Sequence, residues 1–178
     1  MPIPDPLLKG TTRAYAIGRL FEMTAMEPTT DGERRMLGLV LPPWQRPGVW
    51  TTHQKIRFIE GIFHGFGTGY YVTNGLDWQK DGSRKPMSGW LLDGQQRISA
   101  IRDFVHGKLT IFDDVTYGSL SEPECRRFFR KNFDCFELEY SADEDRLKDL
   151  YDRMNFGGTP HEVHQQATAA PRYARPGC

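Results

Sequence analysis

The run Asp93-Gly94-Gln95-Gln96-Arg97 brings a carboxylate, a glycine, two amides and a guanidinium together, directly after the apolar stretch Gly89-Trp90-Leu91-Leu92. The apolar stretch reads as a short strand, and Ile98, Ile101, Phe104 and Val105 beyond the motif have the spacing of a core-facing helix. A strand that turns sharply into a helix leaves backbone N–H groups unpaired at the helix start, together with a partial positive charge. Anions gather at such ends. Gly94 would let a phosphate approach the backbone closely, Gln95 and Gln96 would add amide donors, and Arg97 would offer a planar fork for phosphate oxygens. Asp93, at the strand's end, suits a magnesium ion or the orienting of a water. Asp93 and Gln96 also have capping-box spacing, a reading that needs no ligand and stays open on spacing alone.

The elements around the motif alternate. The first dozen residues read as an unstructured lead-in, followed by a helix from about Arg13 to Met23, with Ala16, Ile17, Leu20 and Phe21 on one side. Met36 to Leu41 reads as one short buried strand ending at Pro42-Pro43. Thr51 and Gln54 match a capping box that opens a helix running to about Phe63, and Gly65, Gly67 and Gly69 break it. Tyr70 to Thr73 reads as a strand, and Asn74 to Ser88 as a surface loop or long hairpin connection. Beyond the motif's helix, which Gly107 stops, the pattern predicts a strand near Leu109 to Phe112 and a helix from Glu122 to Arg130. A strand near Phe133 to Tyr140 and a helix from Asp143 to Met154 follow. Ser121 with Glu124, and Ser141 with Glu144, have capping-box spacing, and Leu147, Leu150, Tyr151 and Met154 form an inward stripe. The tail after His164 has little pattern, so residues 13–164 are expected to form one domain with 165–178 frayed.

At 178 residues the chain can bury one core without disulfides or metals. Its 38% apolar and 26% charged residues describe a globular domain with sizeable loops. The formal net charge of zero argues against coating nucleic acid by bulk electrostatics, while leaving room for a local basic cleft. Cys125, Cys135 and Cys178 are too few and too widely spaced for a disulfide framework or a complete zinc site, and no apolar run approaches the roughly 18 to 20 residues of a membrane span. A cytoplasmic location, with no membrane partner, is the expectation.

Three blocks carry a resemblance. Asp93 to Arg97 is preceded about fifty residues earlier by Leu41-Pro42-Pro43-Trp44-Gln45-Arg46, and followed by Tyr151-Asp152-Arg153-Met154-Asn155-Phe156-Gly157-Gly158-Thr159. In this order they resemble the N-terminal domain of GmrSD-type modification-dependent restriction enzymes, a domain shared with the phosphorothioation-sensing defence protein SspE. Trp44 stands where that pattern usually has Tyr, and His161 where an apolar residue is commoner. The resemblance implies a ParB/sulfiredoxin-like α/β (α+β) fold, a small mixed sheet flanked by helices, that binds a nucleoside triphosphate and hydrolyses it with magnesium. It implies that Asp93, Gln96, Arg97 and Arg46 serve catalysis, that Gly94, Gln95, Gln96, Arg97, Gln45, Arg46 and Asn155 hold the nucleotide, and that Asp93 holds the metal. Most of the rate would come from positioned positive groups rather than covalent chemistry.

Restriction members also carry a C-terminal His-Asn-His nuclease. Fewer than twenty residues follow the third block, so cutting would need a separate nuclease or effector subunit. The resulting expectation is a nucleoside triphosphatase of bacterial or phage DNA modification, restriction or counter-defence. Two alternatives stand beside it: phosphoryl transfer to a hydroxyl acceptor such as a modified nucleotide in DNA, and a non-catalytic ParB-like module that binds DNA under nucleotide control.

Other residues have blander readings. His161 and His164 lie at helical spacing but lack a third ligand nearby, and His53, His64 and His106 are scattered. Trp44 and Trp50 suit either stacking on a base or anchoring a loop. Arg126, Arg127, Arg130 and Lys131 suit a solvated helix face better than a nucleic-acid track. Asp143-Glu144-Asp145 offsets a helix dipole without any metal.

Overall fold

Successive buried side chains on two neighbouring strands join two different clusters and so divide the core. In a computed structural model describing residue 3 and residues 5–156, β4 (Tyr70–Thr73) and β5 (Leu91–Asp93) pair antiparallel at the end of a four-stranded mixed sheet. Tyr71 and Leu91 point to one face, and Val72 and Leu92 to the other. The sheet order is β1-β6-β4-β5, with β1 (Gly10–Arg13) antiparallel to β6 (Asp134–Leu138) and β6 parallel to β4. Helices α2 (Thr52–Phe63), α3 (Gln95–Val105) and α4 (Glu122–Phe129) cover the first face through Ile59, Ile62, Ile98, Ile101, Phe104 and Phe128. Helix α5 (Glu144–Phe156) covers the second through Leu147 and Leu150. The result is the mixed α/β arrangement expected from the sequence, a small sheet flanked by helices. Among the described residues no helix is long and apolar enough to cross a membrane.

Local signals held where they were chemical. Thr51 and Gln54 form the reciprocal box that starts α2, Ser121 and Glu124 form the one that starts α4, and β4 spans the residues predicted. Five expectations are corrected. Gly10–Arg13 is not lead-in but a strand on the β6 edge, and the helix expected from Arg13 to Met23 shrinks to α1 (Arg19–Glu22). Pairing with a strand more than a hundred residues away overrides local periodicity there, while Ile17 and Leu20 are buried as expected.

The stretch from Met36 to Leu41 is not one strand. It belongs to a hairpin of β2 (Arg34–Met36) and β3 (Leu39–Leu41) that reverses at Leu37, whose φ is 53°, and Gly38, where a Cβ would lie 2.6 Å from that of Met23. Likewise Leu109 to Phe112 forms no strand but a single bridge, Ile111 to Val115, around a turn with positive φ at Phe112 and Asp113. Finally, α5 is capped by Asp143 rather than Ser141. The Arg146 N–H donates to the Asp143 carboxylate at 3.0 Å, and Ser141 instead accepts from the Asp143 N–H at 3.2 Å. A carboxylate at the dipole's positive end is the stronger acceptor. The expected frayed tail and the His161/His164 pair lie outside the described residues.

Two polar knots hold the elements that carry the site. Asn74, fully buried, donates to the carbonyls of Met87 (2.9 Å) and Ser141 (3.0 Å) and accepts from the Ser141 N–H, tying the 74–88 connection to the turn before α5. Lys55 of α2 donates to the Asp103 carboxylate at 2.6 Å and to Ser99 at 2.9 Å, locking α2 to α3. Burial works to raise the Asp103 carboxyl, yet hydrogen bonds from Lys55 and Arg102 outweigh it and hold the group below its usual 3.8. A depressed carboxyl stabilises the fold above the unfolded value and loses that contribution as pH falls through the folded one. Lys55→Met is therefore expected to cost about 2 kcal/mol in urea unfolding at pH 7. The gap from wild type should stay constant down to about pH 5 and narrow below 3.8; a gap unchanged at pH 3 would rule the linkage out.

Candidate functional site

Helix α3 begins on Gly94, whose φ is 98°, and no side chain caps it. The Asp93/Gln96 capping box left open by spacing is thus absent. The first amide with an intrahelical partner is that of Ile98, which donates to the Gly94 carbonyl at 2.9 Å, so the amides of Gln95, Gln96 and Arg97 precede the helical ladder. Gly94 is required twice over, because a Cβ there would sit 2.5 Å from the Cβ of Tyr71, itself buried in β4, and because its φ is left-handed.

Gln96 has another task. Its side-chain carbonyl accepts from the N–H groups of Val49 and Trp50, both at 3.0 Å, and so fastens the 46–50 loop across the start of α3. Arg97 donates to the Asp93 carboxylate at 2.6 Å, with each side chain about a quarter exposed. Its guanidinium lies under Gly69, where a Cβ would meet Nη1 at 2.6 Å. Gly69 therefore does more than follow the end of α2: it lets the 67–69 loop close over Arg97.

The opposite wall comes from the first and third blocks. The β2–β3 hairpin bridges in parallel to Trp90, and its exit turn, Pro42 to Gln45, is pinned by Arg34, which donates to the Gln45 carbonyl at 2.5 Å. Gln45 is buried, and its amide nitrogen faces the Leu92 carbonyl at 3.5 Å. Arg46 hydrogen-bonds Tyr151 of α5; burial pushes the Tyr151 phenol up, and the neighbouring guanidinium partly opposes this. Asn155, one turn on, donates to the Tyr151 carbonyl at 2.9 Å.

Between these elements lies one cleft of about 530 Å³. Every residue chosen from the sequence is there: Gln45, Arg46, Asp93, Gly94, Gln95, Gln96, Arg97 and Asn155. Sequence reasoning missed Phe58, Gly67, Thr68, Gly69 and Tyr151. The Gly67-Thr68-Gly69 spacing before a strand was a usable signal for close backbone approach, whereas Tyr151 was masked by its place in the apolar stripe of α5. The two indoles part company. Trp50 lines the cleft edge-on to Phe58, at 5.4 Å between centroids, while Trp44 packs against Trp90 and Tyr151.

Other candidates stay outside. His53, His64 and His106 are exposed, and among the described residues no group of three His, Cys, Asp or Glu side chains is placed to hold a metal. Arg126 pairs with Glu122 on an exposed face, and Cys135 is buried beside Thr73.

The family model described as the GmrSD restriction endonuclease, N-terminal domain, matches residues 29–166, a span that contains all three blocks and every cleft residue. The chain belongs to the GmrSD N-terminal domain family. Membership bears out the resemblance read from the motifs and points to a role in a restriction system. No curated protein and no solved structure matches the chain. Strand β1 and helix α1 precede the GmrSD match, so the edge strand on β6 is supplied from outside the matched span.

Proposed function

We propose that this GmrSD-type domain binds a nucleoside triphosphate in the cleft and hydrolyses it, as part of a bacterial or phage restriction, modification or counter-defence system. The observation that carries this reading is the start of α3, which lacks a side-chain cap and opens into a cleft that also holds two arginines and a single carboxylate. Backbone amides at a left-handed glycine turn form an anion cradle. Arg97 then supplies a fork for the terminal phosphoryl oxygens, and Arg46 offsets charge that develops on the opposite side. Gln96, its carbonyl committed to the 49–50 backbone, presents its amide N–H₂ as the donor.

In the reaction, the oxygen of water forms a bond to the terminal phosphorus and the bond from that phosphorus to the bridging oxygen breaks. The nucleoside diphosphate leaves with the bridging oxygen, and the water's proton goes to solvent or phosphate. The cleft contributes by positioning and by charge complementarity. Magnesium fits only as an ion that arrives with the phosphates, since Asp93 is the one acid among the cleft's lining residues. Bound there, it would neutralise phosphoryl charge.

Purified protein with magnesium, offered each of the four ribonucleoside triphosphates, is expected to show a raised melting temperature and steady release of orthophosphate for at least one of them. Binding without phosphate release would leave a nucleotide-gated module, with DNA affinity then measured with and without nucleotide. Labelled phosphate appearing on an added hydroxyl acceptor would redirect the reading to phosphoryl transfer. No thermal response to any triphosphate would overturn it.

A further inference from the structure

Gln45 is only 4% exposed, and it lines the cleft. Its amide nitrogen is turned to the Leu92 carbonyl oxygen at 3.5 Å, while its amide oxygen, also buried, has no hydrogen-bond partner among the described residues. Reversing the amide gives no relief, because its oxygen would then face that of Leu92, two acceptors together. The backbone around it is held. The Gln45 N–H donates to the Pro42 carbonyl at 3.2 Å and the Gln45 carbonyl accepts from Arg34, so the side chain springs from a fixed turn. A buried acceptor left without a donor is costly, and in a ligand cleft the natural donor is the ligand.

The chemistry of a nucleoside triphosphate restricts which part can supply it. Ionised phosphate oxygens are acceptors and repel a carbonyl oxygen. The donors all lie on the nucleoside half, as ribose O–H and base N–H groups. We propose that Gln45 Oε1 accepts a hydrogen bond from an O–H or N–H of the nucleoside, which makes Gln45 a specificity-determining residue of the cleft. This rests on the nucleotide reading above. Gln45 thus reads the nucleoside, while the start of α3 and Arg97 hold the phosphates whatever nucleoside they carry.

The test measures binding by titration calorimetry to the wild type, Gln45→Met and Gln45→Glu, with melting curves to establish that each is folded. The ligands are inorganic triphosphate, the preferred ribonucleotide, its 2′-deoxy and 3′-deoxy forms, and base analogues that each lack one N–H group. One analogue is expected to bind the wild type about 10- to 100-fold more weakly than the parent. A deoxy form as that analogue assigns the contact to the ribose, and a base analogue assigns it to the base. Gln45→Met should bind parent and that analogue alike, and should leave inorganic triphosphate unaffected. Gln45→Glu, with an acceptor at the same length, should keep the discrimination while weakening all triphosphates through charge repulsion.

The wild-type series is decisive even where a variant fails to fold. If every analogue binds the wild type within about 2-fold of the parent, the inference is overturned while the nucleotide reading stands. The same holds if Gln45→Met weakens inorganic triphosphate as much as the nucleotides. If the wild type binds neither nucleotides nor inorganic triphosphate, the reading of the cleft falls and the inference with it.

Discussion

Arg97→Ala is expected to lower phosphate release by at least about 100-fold, because a guanidinium positioned on a transferring phosphoryl group contributes on that scale or above. The side chain is well placed for it. It is about a quarter exposed, lies under Gly69 and is oriented by Asp93 at 2.6 Å. Stability should change little, since a partly solvated pair one helical turn apart contributes about 1 kcal/mol or less; unchanged melting then separates lost chemistry from lost folding. Arg97→Lys should recover only part of the activity, because an ammonium keeps the charge without the planar fork. Turnover equal to wild type in the folded alanine variant would remove Arg97 from the mechanism and, with it, the main support for phosphate at the α3 start.

Gly94→Ala is expected to be severely damaging for the addition of a single methyl group. The new Cβ would lie 2.5 Å from the Tyr71 Cβ and 3.0 Å from its Cα, and φ at this position is 98°. Tyr71 is 2% exposed and has no room to retreat. Overpacking and backbone strain together are expected to cost about 3 kcal/mol in denaturant unfolding. Triphosphate binding should be lost as well, because the same displacement swings the first amides of α3 out of the cleft. Gly82→Ala is the matched control: its φ is 83°, but nothing lies within 4 Å of a Cβ there, so only the backbone term of about 1 kcal/mol should appear. Equal losses at the two positions would show that Tyr71 gives way and that close packing is not what fixes the turn.

Much of the cleft was legible because its parts are short-range. A strand end, a glycine and an Arg-bearing helix start are adjacent in the chain, so Asp93 to Arg97 could be read as one cluster of cleft residues without knowing the fold. The Thr51 and Ser121 boxes were equally readable, since their partners lie three residues away. Spacing misled where a distant partner competed. Gln96 has the spacing to cap its own helix, yet its carbonyl takes the amides of Val49 and Trp50, groups that no local pattern names. The edge strand Gly10–Arg13 was read as lead-in up to the start of an expected helix for the same reason, its hydrogen bonds being made to residues 135–138.

From the order of its residues alone, the chain determined that a glycine turn would open a helix with a guanidinium one turn along, and that two further blocks of the family pattern would accompany it. Only the tertiary structure decided that Gln45 and Arg46 would face that turn, that Gly67 to Gly69 would close over Arg97, and that the helix start would be left without a side-chain cap. The physical reason is the range of the forces. Backbone conformation and capping are settled within one turn of chain, whereas a cleft is the space left between elements whose packing against a shared core brings distant residues to its walls.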